Sequence, residues 1–358
     1  HIMFVALRDL RFARGRFLLI GTVVALITIL VGFLSGLTGG LTTQNVSAVL
    51  ALPADRIVFS VPSVENSGAS FSDSAITELQ AATWATTPGV ATTAPIGISQ
   101  TRGEAGGTRA AIAVFGVEPG FNETAPSGNG RLGLSNPAAE ALGVTTGDVI
   151  TIAGTTYTVE VVGGDDWYSH TPVVQMTLHD WQAYSAATGN PDVYATVLAV
   201  TGTPDWDEAD TANGTVSKTV LGSLTGLSAF QSEIGSLLLM VAMLFGISGL
   251  VIGAFFTVWT MQRKSDIAVL KALGASTGSL VRDAFGQALI VLLLGIGTGL
   301  GVVVVLGTLV GAALPFLLSP ITTVLPGVTM IVLGLAGSAF ALRSVTSADP
   351  LAALGSNR

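Results

Sequence analysis

Residues 233–282 read EIGSLLLMVAMLFGISGLVIGAFFTVWTMQRKSDIAVLKALGASTGSLVR. Glu233 opens the stretch, and residues 234–262 that follow carry no charge at all. The basic pair Arg263 and Lys264 then begins a polar connector that ends at Arg282. About 20 apolar residues in a helix cross the ~30 Å hydrocarbon core of a bilayer. At 1.5 Å per residue this run reaches about 43 Å, so one end projects beyond the membrane. A span joined to a charged connector is built to pass motion across a membrane.

Composition sets the class. Apolar residues make up 49% of the chain, charged residues 11%, and the mean hydropathy is +0.67, values of an integral membrane protein. The chain has no cysteine, which excludes disulfides, thiolate metal sites and cysteine nucleophiles. His1 and Ile2 ahead of Met3 read as a cloning remnant.

Arg8, Arg11, Arg14 and Arg16 precede a charge-free run whose apolar part spans once. Its length favours a retained helix over a signal peptide. From about residue 42 to 228 the chain is rich in Thr, Ser, Gly and Asp. Strand-like runs fall at 56–61, 110–117, 149–153, 157–162, 173–178 and 195–200, with a turn at 154–156 joining two of them. Helices are signalled at 73–84, at 137–142 behind a Ser135 or Asn136 cap, and at 180–187. This predicts an α+β domain inserted between the first two of four transmembrane helices. Residues 284–342 are free of charge and too long for one span, and Pro315, Pro320 and Pro326 mark the break.

The expected order is therefore a cytoplasmic amphipathic helix (3–16), a first span (17–41), an extracellular domain (42–229) and a long second span (230–262). A cytoplasmic coupling segment (263–283), a third span (284–314), an outer loop (315–320), a fourth span (321–342) and a cytoplasmic tail (343–358) complete it. Charges agree with that topology. Ten of fifteen basic residues fall in the three cytoplasmic segments, against four acidic ones, while the outer side holds five basic and nineteen acidic residues. That is the positive-inside distribution, with both termini cytoplasmic.

The connector from Arg263 through Ser276 resembles the signature after the second span of FtsX-like (MacB-type) ABC-transporter permeases. Residues 348–354 are similar to that family's C-terminal motif, 6–10 to its amphipathic start, and 142–150 to a motif of its outer domain. Residues 4–13 and the compact outer domain look most like its haem-exporter (HrtB-type) permeases. The resemblance implies a homodimer in the plasma membrane, carried on two copies of an ABC ATPase. The chain itself is then not an enzyme, holds no intrinsic cofactor and binds no nucleic acid. A phosphate-cradling loop ending in Gly-Lys-Ser/Thr is absent, so ATP belongs to the partner subunit.

Arg263, Lys264, Asp266, Lys271, Gly274 and Arg282 form the expected ATPase-coupling set. Ile267, Val269, Leu270 and Leu273 give this connector an apolar pattern that a merely solvated loop would not need. Glu233, Met240 and Met243 form the expected substrate set. Met240 lies seven residues beyond Glu233, about 20° away around a helix, and Met243 is one turn further. Carboxylate and thioether both reach iron, which makes Glu233 and Met240 ligand candidates for haem as substrate, with no other metal site. Ordinary packing is the competing account of the methionines. Asp165, Asp166 and His170 read as a polar loop, His179 and Asp180 as a helix start. Glycines at 246, 249 and 253, and at 295, 297, 299 and 301, read as packing seams. Two other functions stay open: an FtsX-type signal transducer acting on an extracellular partner, and export of another lipophilic substrate such as a lipopeptide, antibiotic or lipoprotein.

Overall fold

A computed structural model describes residues 14–64, 67–262, 269, 274, 276–311 and 313–346. The chain divides into two compact units, residues 41–235 and the remainder.

The membrane unit draws on four long helices, Arg14–Leu50 (α1), Ser228–Gln262 (second long helix), Thr277–Val310 (third) and Pro320–Thr346 (fourth). Each contains a stretch long and apolar enough to cross a membrane. The first helix runs on to Leu50, past the apolar residues that predict it. The third starts at Thr277, ahead of the charge-free run, because the Ser276 hydroxyl caps it by accepting from the Ser279 amide. Pro320 opens the fourth helix behind Ser319, whose hydroxyl accepts from the Thr322 amide, and Pro326 lies inside it.

Val24, Val31, Phe256, Trp259, Leu292, Ile296 and Met330 form the core of this unit. Buried hydroxyls bond back along their own helices, Thr28 to the Val24 carbonyl and Thr260 to that of Phe256. None of these is left unpaired where water is absent. Gly295 faces Val24 and Gly299 faces Thr28, whereas a side chain at Gly297 or Gly301 would meet open space. The third-helix seam is thus built on the four-residue spacing alone. Gly253 meets Gly337 backbone to backbone and Gly249 meets Leu333, but Gly246 touches nothing within 4 Å. Small residues bring these helices together, as dispersion packing in lipid requires.

A glycine slot that the sequence reading passes over sits at the outer connection. Phe316 lies where side chains on Gly36 and Gly307 would stand, packs 5.0 Å from Phe33, and is followed by Leu317, whose amide donates to the Gly36 carbonyl at 3.0 Å. At Gly40 an added methyl would collide with the Pro315 carbonyl.

The inserted unit is a ten-stranded sheet in the order β10-β1-β9-β2-β3-β8-β4-β6-β5, with β7 paired to β8 off this path. Its strands are β1 (Arg56–Ser60), β2 (Val90–Ala105), β3 (Thr108–Val117), β4 (Arg131–Leu134), β5 (Val149–Ile152), β6 (Thr155–Val162), β7 (Trp167–Tyr168), β8 (Thr171–Thr177), β9 (Val197–Gly202) and β10 (Thr215–Thr219). Strand β2 pairs with β9 through its first half and with β3 through its second, and Gly103-Glu104 also pairs with β5. Strands β2, β3, β8, β4, β6 and β5 therefore close on themselves. Two-residue periodicity sorts the side chains: Ile57 and Phe59 enter one core and Val58 another. On β3, Ala113 and Phe115 join the first, while Ile112 and Val114 fill the closed part with Leu132, Ile150 and Met176.

Helix Glu78–Thr86 is shorter than the sequence signals, because the Thr77–Gln80 capping box fixes its start. Helix Asn136–Leu142 has Ser135 as its cap, and Thr177 caps Leu178–Ala187. The β5–β6 turn is Ala153-Gly154, both with positive φ, the geometry of a two-residue I′ hairpin. Long strand β2 escapes sequence reading because it contains Gly97, paired with Gly116. Side chains on either would strike the Trp181 ring, whose Nε1 donates to the Ser99 hydroxyl at 3.0 Å.

Since the atom facing Gly40 is backbone, it cannot swing aside. We expect Gly40→Ala to destabilise the whole chain by about 1–3 kcal/mol, with Gly246→Ala neutral. Thermal melts of the two variants in detergent check this, and equal melting temperatures contradict it.

Candidate functional site

Three distant pieces of sequence meet in the inserted unit: the last turns of α1, the hairpin tip between β7 and β8, and the first turns of the second long helix. Strands β7 and β8 pair Trp167 with Pro172 and Tyr168 with Thr171, leaving Ser169-His170 as a two-residue loop. Both loop residues are left-handed, with φ of 46° and 63°. A I′ turn demands that conformation and normally recruits Asn-Gly for it. In non-glycine residues it costs about 1–3 kcal/mol each, sustained only where the surroundings over-determine it.

The surroundings do so here. The Ser169 amide donates to the Asn45 carbonyl at 3.0 Å and the His170 amide to that of Gln44 at 2.9 Å. The Ser47 hydroxyl accepts from the Trp167 amide at 2.8 Å and faces its carbonyl at 3.3 Å. Thr171 Oγ1 donates to the Tyr168 carbonyl at 2.7 Å and accepts from Gln100 Nε2 at 3.0 Å. Tyr168 is buried edge-on against Phe71 and Phe115, and that burial pushes its phenol well above the usual range. The hairpin tip is thus nailed to α1.

This anchoring points His170 at the second long helix. His170 Nε2 lies 2.7 Å from Glu233 Oε2, with both side chains part-exposed. Carboxylate and imidazole are separated by 63 residues of sequence. Beside them the Asn45 amide is fully buried, and neither of its side-chain polar atoms has a hydrogen-bond partner. An orphaned buried amide is rare and marks a place where a partner is missing or strain is held.

Met240 and Met243 follow on the same helix and are exposed, at 49% and 59%. Asp166, next to the hairpin, has its carboxyl held above the ordinary range by burial and, secondarily, by Asp165. Asp165 itself accepts from Asn136 Nδ2. His179, at the start of helix Leu178–Ala187, is exposed and stands near Asn129, away from the hairpin. No group of three or more His, Asp or Glu side chains placed to hold a metal ion occurs among the described residues.

Of the coupling set, Arg263, Lys264, Asp266 and Lys271 lie outside the described residues. Gly274 is exposed with φ of 94°, a conformation only glycine adopts without strain. Arg282 is exposed within the third long helix rather than in a connecting segment. One turn on, Gln287 is fully buried and donates to Asp283 at 3.1 Å. His170 as the partner of Glu233 is what sequence reading misses. Its signal is weak: two residues between aromatic and β-branched neighbours, with no turn-forming Asn or Gly.

Asp166 gives a pH test. A carboxyl whose folded pKa exceeds its unfolded value favours the protonated fold, so its contribution to stability falls as pH rises through that interval. We expect Asp166→Asn to raise the melting temperature at pH 7 and to leave it unchanged at pH 3. A gain confined to acid would have the sign wrong.

Residues 236–350 match the family described as FtsX-like permease C-terminal. Along 99% of both chains, the protein is 23% identical to the putative hemin transport system permease protein HrtB of Staphylococcus epidermidis and 24% identical to that of Staphylococcus haemolyticus. With the same coverage it is 25% identical to an uncharacterized ABC transporter permease of Mycobacterium tuberculosis. The extracellular domain of the noncanonic ABC-type transporter YknZ from Gram-positive bacteria aligns with 47% of this chain and 91% of its own, at 15% identity and TM-score 0.33. The periplasmic region of MacB from Actinobacillus actinomycetemcomitans aligns with 48% of this chain and 92% of its own, at 9% identity and TM-score 0.36.

Proposed function

We propose that the chain, whose residues 236–350 match the FtsX-like permease C-terminal family, is an ABC-transporter permease and that it exports haem taken from the outer leaflet. Relatives named as hemin transport permeases support the cargo. The observation that carries the reading is the second long helix, unbroken from Ser228 to Gln262. Glu233 stands near one end of it, and the basic connector follows the other. At 1.5 Å per residue its 35 residues reach about 52 Å, well beyond the ~30 Å of hydrocarbon.

Haem is flat, amphipathic and enters such a site laterally from lipid. Glu233 and Met240 lie about 10.5 Å apart along the axis. That spacing admits a macrocycle held edge-on between a carboxylate and a thioether, with Met243 one turn beyond. Exposed methionines suit the apolar faces of the ring. Two copies of the permease enclose the cargo, and each chain receives its drive from an ABC ATPase through the 263–283 connector. When the ATPases close, the connectors move together, the helices tilt, and the cargo is squeezed outward past the inserted domain. The domain is extracellular in this arrangement and both termini are cytoplasmic, as the charge distribution requires.

Titrating purified protein with hemin tests the reading. We expect a shifted Soret band that Glu233→Ala and Met240→Ala each weaken, with affinity at least tenfold lower. An unaltered spectrum contradicts haem as cargo, and a shift indifferent to both substitutions contradicts these residues as its site.

A further inference from the structure

We propose that the His170–Glu233 hydrogen bond is a cargo-responsive latch. It ties the start of the second long helix to the domain when the site is empty, and the cargo opens it. This rests on haem as the cargo. The bond joins two atoms that can each ligate iron, Nε2 of His170 and Oε2 of Glu233. An iron centre that binds either atom must first separate the pair. The tie and the ligand site therefore share Glu233, and a cargo that takes its Oε2 excludes the latched state.

Three further observations favour a latch over an incidental surface pair. First, the histidine is delivered by a turn made of two left-handed non-glycine residues, which nothing in Ser-His favours locally. Second, that turn is fixed to α1 by the Gln44 and Asn45 carbonyls and by Ser47, so the histidine is anchored and not a free side chain. Third, Asn45, whose carbonyl holds the turn, has a buried side-chain amide without partners. The second long helix is also the least buried of the four, with 11% of its apolar window covered against 28–33% for the others.

Hydrogen exchange on the full chain in nanodiscs tests this, read by mass spectrometry over residues 167–171 and 229–236. His170→Gly keeps the left-handed turn and removes the imidazole. His170→Gln retains a donor that reaches Glu233. The latch predicts about tenfold faster exchange in both segments for His170→Gly, the scale of a lost hydrogen bond to a charged group. Exchange close to wild type is expected for His170→Gln. Hemin should accelerate the same segments in the wild type. Unchanged exchange in His170→Gly overturns the latch whatever hemin does. Hemin that shifts the Soret band without changing exchange overturns the coupling of cargo to latch. Hemin that does not bind at all removes the haem reading on which the proposal rests, and the Soret band tells that failure from the others.

Discussion

In hydrocarbon every backbone N–H and C=O must be satisfied within the chain, and the second long helix meets that demand without a break over 35 residues. Ser228–Gln262 has no proline and no break, and its glycines face neighbours or open space instead of bending it. Continuity makes it stiff over its length, from Ser228 to Gln262. The glycine contact of Gly253 with Gly337 gives the helix one close neighbour midway. Its half nearer Glu233 leaves Leu238, Leu239, Met240 and Met243 exposed.

The inserted unit is organised to hold the two long helices that enter it. Strand β1 leaves α1 at Arg56 and pairs there with Thr219, the last residue of β10 before the second long helix. Chain entry and exit therefore lie at one end of the sheet. Val49 and Leu52 from the first connection and Leu224 and Leu227 from the second share one core with Phe59, Phe115 and Tyr168. The hairpin bearing His170 grows out of that same core, which is why its tip is placed so firmly.

Much of this was legible in the sequence, and the rest was hidden for definable reasons. Charge-free runs and proline breaks announce the four helices because lipid tolerates little else. Alternating Val and Ile announce β1, β5 and β9. Strand β2 was obscured because Gly97 serves a tryptophan ring elsewhere in the fold, so a residue that reads as a breaker is a packing device. Helix Trp206–Asn213, of sequence WDEADTAN, has no apolar stripe; its Asp205 cap, the buried Ala209, Trp206 packed 6.0 Å from Trp84, and Asp210 accepting from Thr215 and Ser217 hold it. The methionines and Glu233 could be placed on one helix face from spacing. Their setting could not: the hydrogen bond to His170 crosses 63 residues and leaves no local trace.

The central claim is that cargo at Glu233 frees the second long helix from the domain. A distance between the two, measured directly, tests it best. The chain has no cysteine, so spin labels can be placed at Leu79→Cys, on an exposed face of the domain, and at Gly235→Cys, where a side chain meets nothing within 4 Å. Gallium protoporphyrin, a diamagnetic analogue of hemin, serves as cargo in nanodiscs. The account predicts one narrow distance without it and a displaced, broader distribution at saturation. A distribution identical with and without bound porphyrin would contradict it.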